Sequence, residues 1–116
     1  MAGSLTIDNI NGKVISSSPV ATESQVIGVE QTWQDVTASR SLSVTYTNTT
    51  GKPIQVMITT AASATGSYVF SATVNGVQIS YVYNNYTIPY WCFIVPQGHT
   101  YSVTSGTQLS KWSELR

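Results

Sequence analysis

From Gly28 onward, apolar and polar positions alternate with a period of two, interrupted by clusters of Gly, Pro, Asn and Ser. That period belongs to half-buried β-strands, because successive side chains on a strand point to opposite faces. Val44 and Tyr46 alternate with Thr45 and Thr47 along residues 43–48, and residues 49–53 (Thr-Thr-Gly-Lys-Pro) form a turn. Ile54, Val56 and Ile58 then alternate with Gln55, Met57 and Thr59, and residues 61–66 are small and loop-like. Tyr68, Phe70, Ala72 and Val74 give the next apolar face, which ends at Asn75-Gly76, a type I′ turn sequence. The unbroken period predicts a hairpin pairing Val74 with Val77, Ala72 with Ile79, Phe70 with Tyr81 and Tyr68 with Tyr83, while Thr73 with Gln78 and Ser71 with Ser80 line the other face. Residues 91–95 predict a buried strand closed by Pro96-Gln-Gly-His99. Strands over 101–104 and 109–115 follow, separated by Ser105-Gly106. Seven or eight short strands with frequent turns predict an all-β antiparallel β-sandwich, jelly-roll-like, over residues 28–116.

Residues 1–27 differ. They carry short apolar pairs such as Val14-Ile15 among Ser, Asn, Thr and Pro19. Closing a hairpin at Asn11-Gly12 leaves neither face apolar, so an extended N-terminal arm packed on another surface is expected.

Composition reinforces the β reading. Val and Ile total 22 residues against 4 Leu, and β-branched side chains favour pleated sheets over helices. Ser and Thr supply 32 of the 116 residues, whereas charged residues are only 9%, where about 25% is usual. Five basic and five acidic side chains cancel, and the basic ones are scattered, so no nucleic-acid partner is expected. A neutral, charge-poor chain is poorly protected against self-association, and an oligomer or larger assembly is expected. No apolar run approaches the ~20 residues of a membrane helix, and the first residues lack a signal-peptide pattern. Membrane insertion is therefore not expected, and synthesis in a cytosol is. With Cys92 the only cysteine, an intrachain disulfide is impossible. Asn48-Thr-Thr and Asn85-Tyr-Thr fit the glycosylation sequon and are read as turn chemistry.

Catalytic chemistry has little material here. His99, the only histidine, sits in a turn and is read as a local backbone partner. Cys92 lies between Trp91 and Phe93 and is read as a small core hydrophobe. One His, one Cys and scattered carboxylates form no metal or triad pattern, so a non-enzymatic protein without a cofactor is expected. Trp33 and Trp112 are read as core anchors at the first and last strands, and Arg40 and Glu114 as candidates for a structural ion pair. The densest unusual segment runs from Tyr81 to Trp91 and holds four of the seven tyrosines. Either Tyr81 and Tyr83 face the core while the other rings fill a subunit interface, or the segment is an exposed recognition loop. In the second case Tyr86, Tyr90, Trp91, Asn84 and Asn85 are the candidate ligand-binding residues, since Tyr and Trp offer apolar faces with polar edges and Asn both donates and accepts.

Five ordered runs carry a resemblance: residues 31–40 (QTWQDVTASR), 46–54 (YTNTTGKPI), 74–77 (VNGV), 94–101 (IVPQGHTY) and 111–116 (KWSELR). Together they resemble small β-sandwich domains of tailed-bacteriophage and prophage proteins, often found at the C-terminal end of tail fibres. The resemblance covers about residues 28–116 and implies a virion structural or host-attachment protein, commonly a homotrimer. It implies other virion proteins and a host surface glycan as partners, and assembly in the bacterial host cytoplasm. It supplies no catalytic residue. The chain has a short arm in place of a long fibre shaft, which keeps a capsid decoration protein in view; a free carbohydrate-binding module using Tyr86, Tyr90 and Trp91 is the other alternative.

Overall fold

The structure, a computed structural model, describes residues 25–63, 68–84 and 90–116, with Tyr68 and Asn84 as backbone only. Most of the expected N-terminal arm, together with Asn85 and Tyr86, lies outside the described residues. Among the described residues eight strands follow one another: β1 (Trp33–Asp35), β2 (Tyr46–Thr47), β3 (Ile54–Thr60), β4 (Tyr68–Val74), β5 (Val77–Asn84), β6 (Tyr90–Val95), β7 (Thr100–Ser105) and β8 (Leu109–Leu115).

They form two four-stranded antiparallel sheets in the orders β1-β8-β3-β6 and β2-β7-β4-β5. The pairs β1 with β8, β2 with β7, β3 with β6 and β4 with β5 are those obtained by folding a long hairpin over on itself, which is jelly-roll topology. The sequence expectation of a jelly-roll-like β-sandwich is met.

The two inner faces meet in one core. Ile54, Val56 and Ile58 of β3 have no solvent exposure, as the alternation predicts. Phe70, Ala72 and Val74 of β4, Tyr101 and Val103 of β7, Val95 of β6 and Trp112 of β8 complete it. Each such Ile, Val or Phe contributes about 1.5–3 kcal/mol relative to leaving it in water. Trp91 of β6 reaches across to lie flat on Phe70 of β4, ring centroids 3.8 Å apart and nearly parallel. At the other side of the sandwich, Tyr46 meets Trp112 edge-on at 5.9 Å.

A buried charge cluster ties the same side together. Glu114, fully buried on β8, accepts hydrogen bonds from Arg40 Nε (3.1 Å) and Nη2 (3.0 Å), Tyr101 OH (2.8 Å), Trp112 Nε1 (3.0 Å) and Arg116 Nη1 (2.7 Å). The expected Arg40–Glu114 pair is thus present, and Arg40 also lies over the Tyr46 ring at 4.7 Å. Burial alone would raise the Glu114 pKa, but the hydrogen bonds from Arg40 and Tyr101 overcome it and hold the carboxyl below its ordinary value. Burial and the bond to Glu114 push the Tyr101 phenol up to about 12.

Asn48 is the polar counterpart in the turns. Its buried Nδ2 donates to the carbonyls of Lys52, Val95 and Pro96, and its Oδ1 accepts from Thr50 N and Oγ1. The Asn48 sequon is therefore turn chemistry, as read. His99 likewise serves its turn through backbone bonds to Pro96 and Asn48.

Four local expectations fail. Only Tyr46–Thr47 of the 43–48 segment is strand; Ser43 takes a positive φ of 64°, which ends the extended run and leaves Val44 exposed. Trp33 is 51% exposed rather than a core anchor, because β1 is an edge strand and its register with Leu115 puts that ring on the outer face. Cys92 is exposed, not a core hydrophobe, because β6 is also an edge strand whose inward positions are Trp91, Phe93 and Val95. The hairpin opens on the expected turn, with Val74 opposite Val77 and Asn75 and Gly76 at φ 50° and 82°, but Ile79 is an extra residue in β5. Beyond that bulge Ala72 faces Ser80, Ser71 faces Tyr81 and Val69 faces Tyr83, so every later side chain of β5 takes the opposite face from the one the unbroken period assigns.

Candidate functional site

The bulge decides where the aromatic rings go. Tyr81 and Tyr83, expected against the core, stand on the outer face at 61% and 66% exposure, while Ser80 and Val82 turn inward. Tyr90, at the start of β6, is 69% exposed and projects from the outer face of the other sheet. Trp91, the next residue, points inward onto Phe70. The candidate residues are therefore not gathered on one surface: Tyr90 is open to solvent, Trp91 belongs to the margin of the core, and Asn84 closes β5 opposite Tyr68. Asn85 and Tyr86 lie outside the described residues.

Two outer faces of contrasting chemistry result. On the sheet β1-β8-β3-β6, the cross-strand rows read Trp33, Leu115, Gln55, Ile94, then Asp35, Ser113, Met57, Cys92, then Lys111, Thr59, Tyr90. Trp33, Met57, Ile94 and Tyr90 are all exposed, and Leu115 is half-buried. The charges on this face neutralise each other: Lys111 Nζ donates to Asp35 Oδ2 at 2.7 Å. That hydrogen bond, with others from Thr37, holds the Asp35 carboxyl well below the usual carboxylate range. Gln55 Nε2 donates to Cys92 Sγ at 2.9 Å, a hydrogen bond made within the face.

The outer face of the sheet β2-β7-β4-β5 carries no charge in its cross-strand rows, and β5 also exposes Val77 and Ile79. Its rows read Tyr83 and Val69, then Tyr81, Ser71 and Thr104, then Gln78, Thr73 and Ser102, with Thr47 beside Thr100 at the far edge. Ser71 Oγ and Thr104 Oγ1 lie 2.6 Å apart.

An open depression of about 410 Å³ lies at one end of the sandwich, lined by Asn48, Thr49, Gly51, Gln97 and Gly98. It belongs to the β2–β3 and β6–β7 connections, at the end carrying the Asn75-Gly76 turn, whose Asn75 N–H bonds the Thr100 carbonyl. β5 ends and β6 begins at the opposite end, where the β7–β8 connection also lies. Among the described residues, no three His, Cys, Asp or Glu side chains come together as a metal site. No helix among them is long and apolar enough to cross a membrane.

Sequence reasoning missed Tyr81 and Tyr83 as exposed residues, and Trp33, Met57 and Ile94 as one exposed apolar face. The only signal for the second was that Met57 and Ile94 sit out of phase with the core positions of their strands. No family model matches the chain, and no curated protein matches its sequence.

Proposed function

We propose that the protein is a non-enzymatic structural component of a bacteriophage virion, associated with the tail or a tail fibre and displayed for contact with host surface glycans. The observation that carries this reading is the exposed apolar face of the sheet β1-β8-β3-β6. Contiguous exposed apolar side chains on a monomer often mark an interaction site, and a chain with so few charges has little repulsion to keep copies apart. The sheet's strands of three, seven, seven and six residues, spaced about 4.8 Å apart and rising ~3.4 Å per residue, give a flat footprint on the order of 375 Å². The ordered sequence resemblance to phage β-sandwich domains supplies the virion context, and the jelly-roll topology, frequent among viral capsid and lectin domains, supports it. A homotrimer is the proposed assembly, with other virion proteins as further partners. Fractionating purified virions tests the role: the chain is expected to co-migrate with intact particles, in the tail fraction after disruption. Its absence from particles refutes the proposal, and its recovery with heads transfers the role to capsid decoration.

A further inference from the structure

We infer that the outer face of the sheet β2-β7-β4-β5 is a binding surface for a neutral glycan, with Tyr81 and Tyr83 as its aromatic platform. The inference rests on the proposed attachment role only for the biological source of the glycan; the surface itself follows from the register of β5. Tyr81 and Tyr83 sit two residues apart on one face of a strand, which places their bases about 7 Å apart. Both rings remain mostly exposed, so their apolar faces are unspent by packing. A pyranose ring, apolar on its C–H face and hydroxylated at its edge, matches a tyrosine in both respects.

The neighbouring positions carry the complementary polar groups. In register with Tyr81 run Ser71 and Thr104, and the next row holds Gln78, Thr73 and Ser102. Hydroxyls both donate and accept, as sugar hydroxyls do, and the Gln78 amide offers two donors and an acceptor. These rows hold no Lys, Arg, Asp or Glu, and that selects the occupant. An anionic polysaccharide or a nucleic acid finds no counter-charge here. The strands are paired from β5 through β4 to β7, with one bulge at Ile79, so the backbone of the platform is fixed and side-chain ordering is the main local cost of binding.

The test is affinity electrophoresis and calorimetry of the purified chain against dextran, mannan, galactan and amylose, with alginate as the anionic comparison. Wild-type protein is expected to bind at least one neutral polysaccharide, with an affinity unchanged between 0.05 and roughly 0.5 M salt, since screening acts only on charge. The Tyr81→Ala/Tyr83→Ala variant is expected to lose about tenfold or more in affinity. Its melting temperature and its mass by light scattering should stay unchanged. Thr104→Val, which removes one hydroxyl and keeps the shape, is expected to weaken binding as well. Tyr90→Ala, on the opposite sheet, is expected to leave it intact. Failure of all four neutral polysaccharides to bind, binding that survives the double tyrosine variant, or binding confined to alginate and abolished by salt overturns the inference. None of these outcomes bears on virion association, which particle fractionation decides separately.

Discussion

Glu114 is the residue on which one side of the sandwich depends. Its carboxylate is fully buried and satisfied by two arginines, a phenol and an indole, drawn from the segment before β2, from β7, from β8 and from the residue after β8. Removing one member of a buried pair leaves the other charge uncompensated, at about 3–5 kcal/mol. Glu114→Gln is therefore expected to lower stability by that order, measured by denaturant unfolding. Replacing Arg40 and Glu114 together by apolar residues should cost less than the sum of the single changes. The pH dependence has a definite sign. The folded-state pKa of Glu114 is depressed, so its contribution is present above the ordinary carboxylate pKa and is lost as pH falls through the folded value. Tyr101 is raised from 10.0 to about 12, so its contribution is complete below pH 10 and is lost as pH rises toward 12. Thermal melts across pH should decline at both ends, and Tyr101→Phe should flatten the alkaline one. Two adjacent aromatics give a second contrast. Trp91→Ala removes the ring stacked on Phe70 and is expected to cost about 3–5 kcal/mol, whereas Tyr90→Ala removes an exposed ring and should stay within about 1 kcal/mol.

At the scale of the element, β5 separates what the sequence made legible from what it did not. The Asn75-Gly76 turn was readable because both positions require positive φ, which Asn and Gly tolerate best. The strand that follows was readable as a strand, but its facing was not. A bulge is set by how the chain twists against β4, and no residue type marks Ile79 as the extra one. The same limit applies to β6. Its run of apolar residues reads as buried on both faces, yet its place at the sheet edge leaves Cys92 and Ile94 in water. By contrast β3, central in its sheet, matches its alternation residue for residue. Sequence periodicity thus located the elements, and sheet order, which depends on pairings far apart in the chain, determined which faces are free. The bulge supplies a prediction. Deleting Ile79 joins Gln78, which faces out, to Ser80, which faces in, so regular alternation is restored with Tyr81 and Tyr83 still outward. Ile79 is itself 46% exposed. The deletion is expected to change the unfolding free energy by no more than about 1 kcal/mol and to preserve the accessibility of both tyrosines to iodination.

Among the described residues the sandwich has two different outer faces. One sheet presents hydroxyls and tyrosines with Val77 and Ile79 on β5; the other presents Trp33, Met57, Ile94 and Tyr90, with Leu115 between them. If the apolar face is the assembly surface, a single charge at its centre should separate the copies without unfolding them, because the position is solvent-exposed in the free chain while a desolvated, unpaired ammonium would be needed to keep the contact. Met57 is the position to use. It lies on β3, the strand flanked by β8 and β6, and is 41% exposed, so a lysine there reaches water in the monomer but is trapped in the complex. Light scattering of the wild-type chain is expected to give about three times the monomer mass, and Met57→Lys about one third of that value, with an unchanged circular-dichroism spectrum. The matching change on the other face, Thr104→Lys, should leave the mass at the wild-type value. Dissociation by Thr104→Lys in place of Met57→Lys would move the assembly surface to the hydroxyl face and remove the apolar sheet as the observation supporting a structural role.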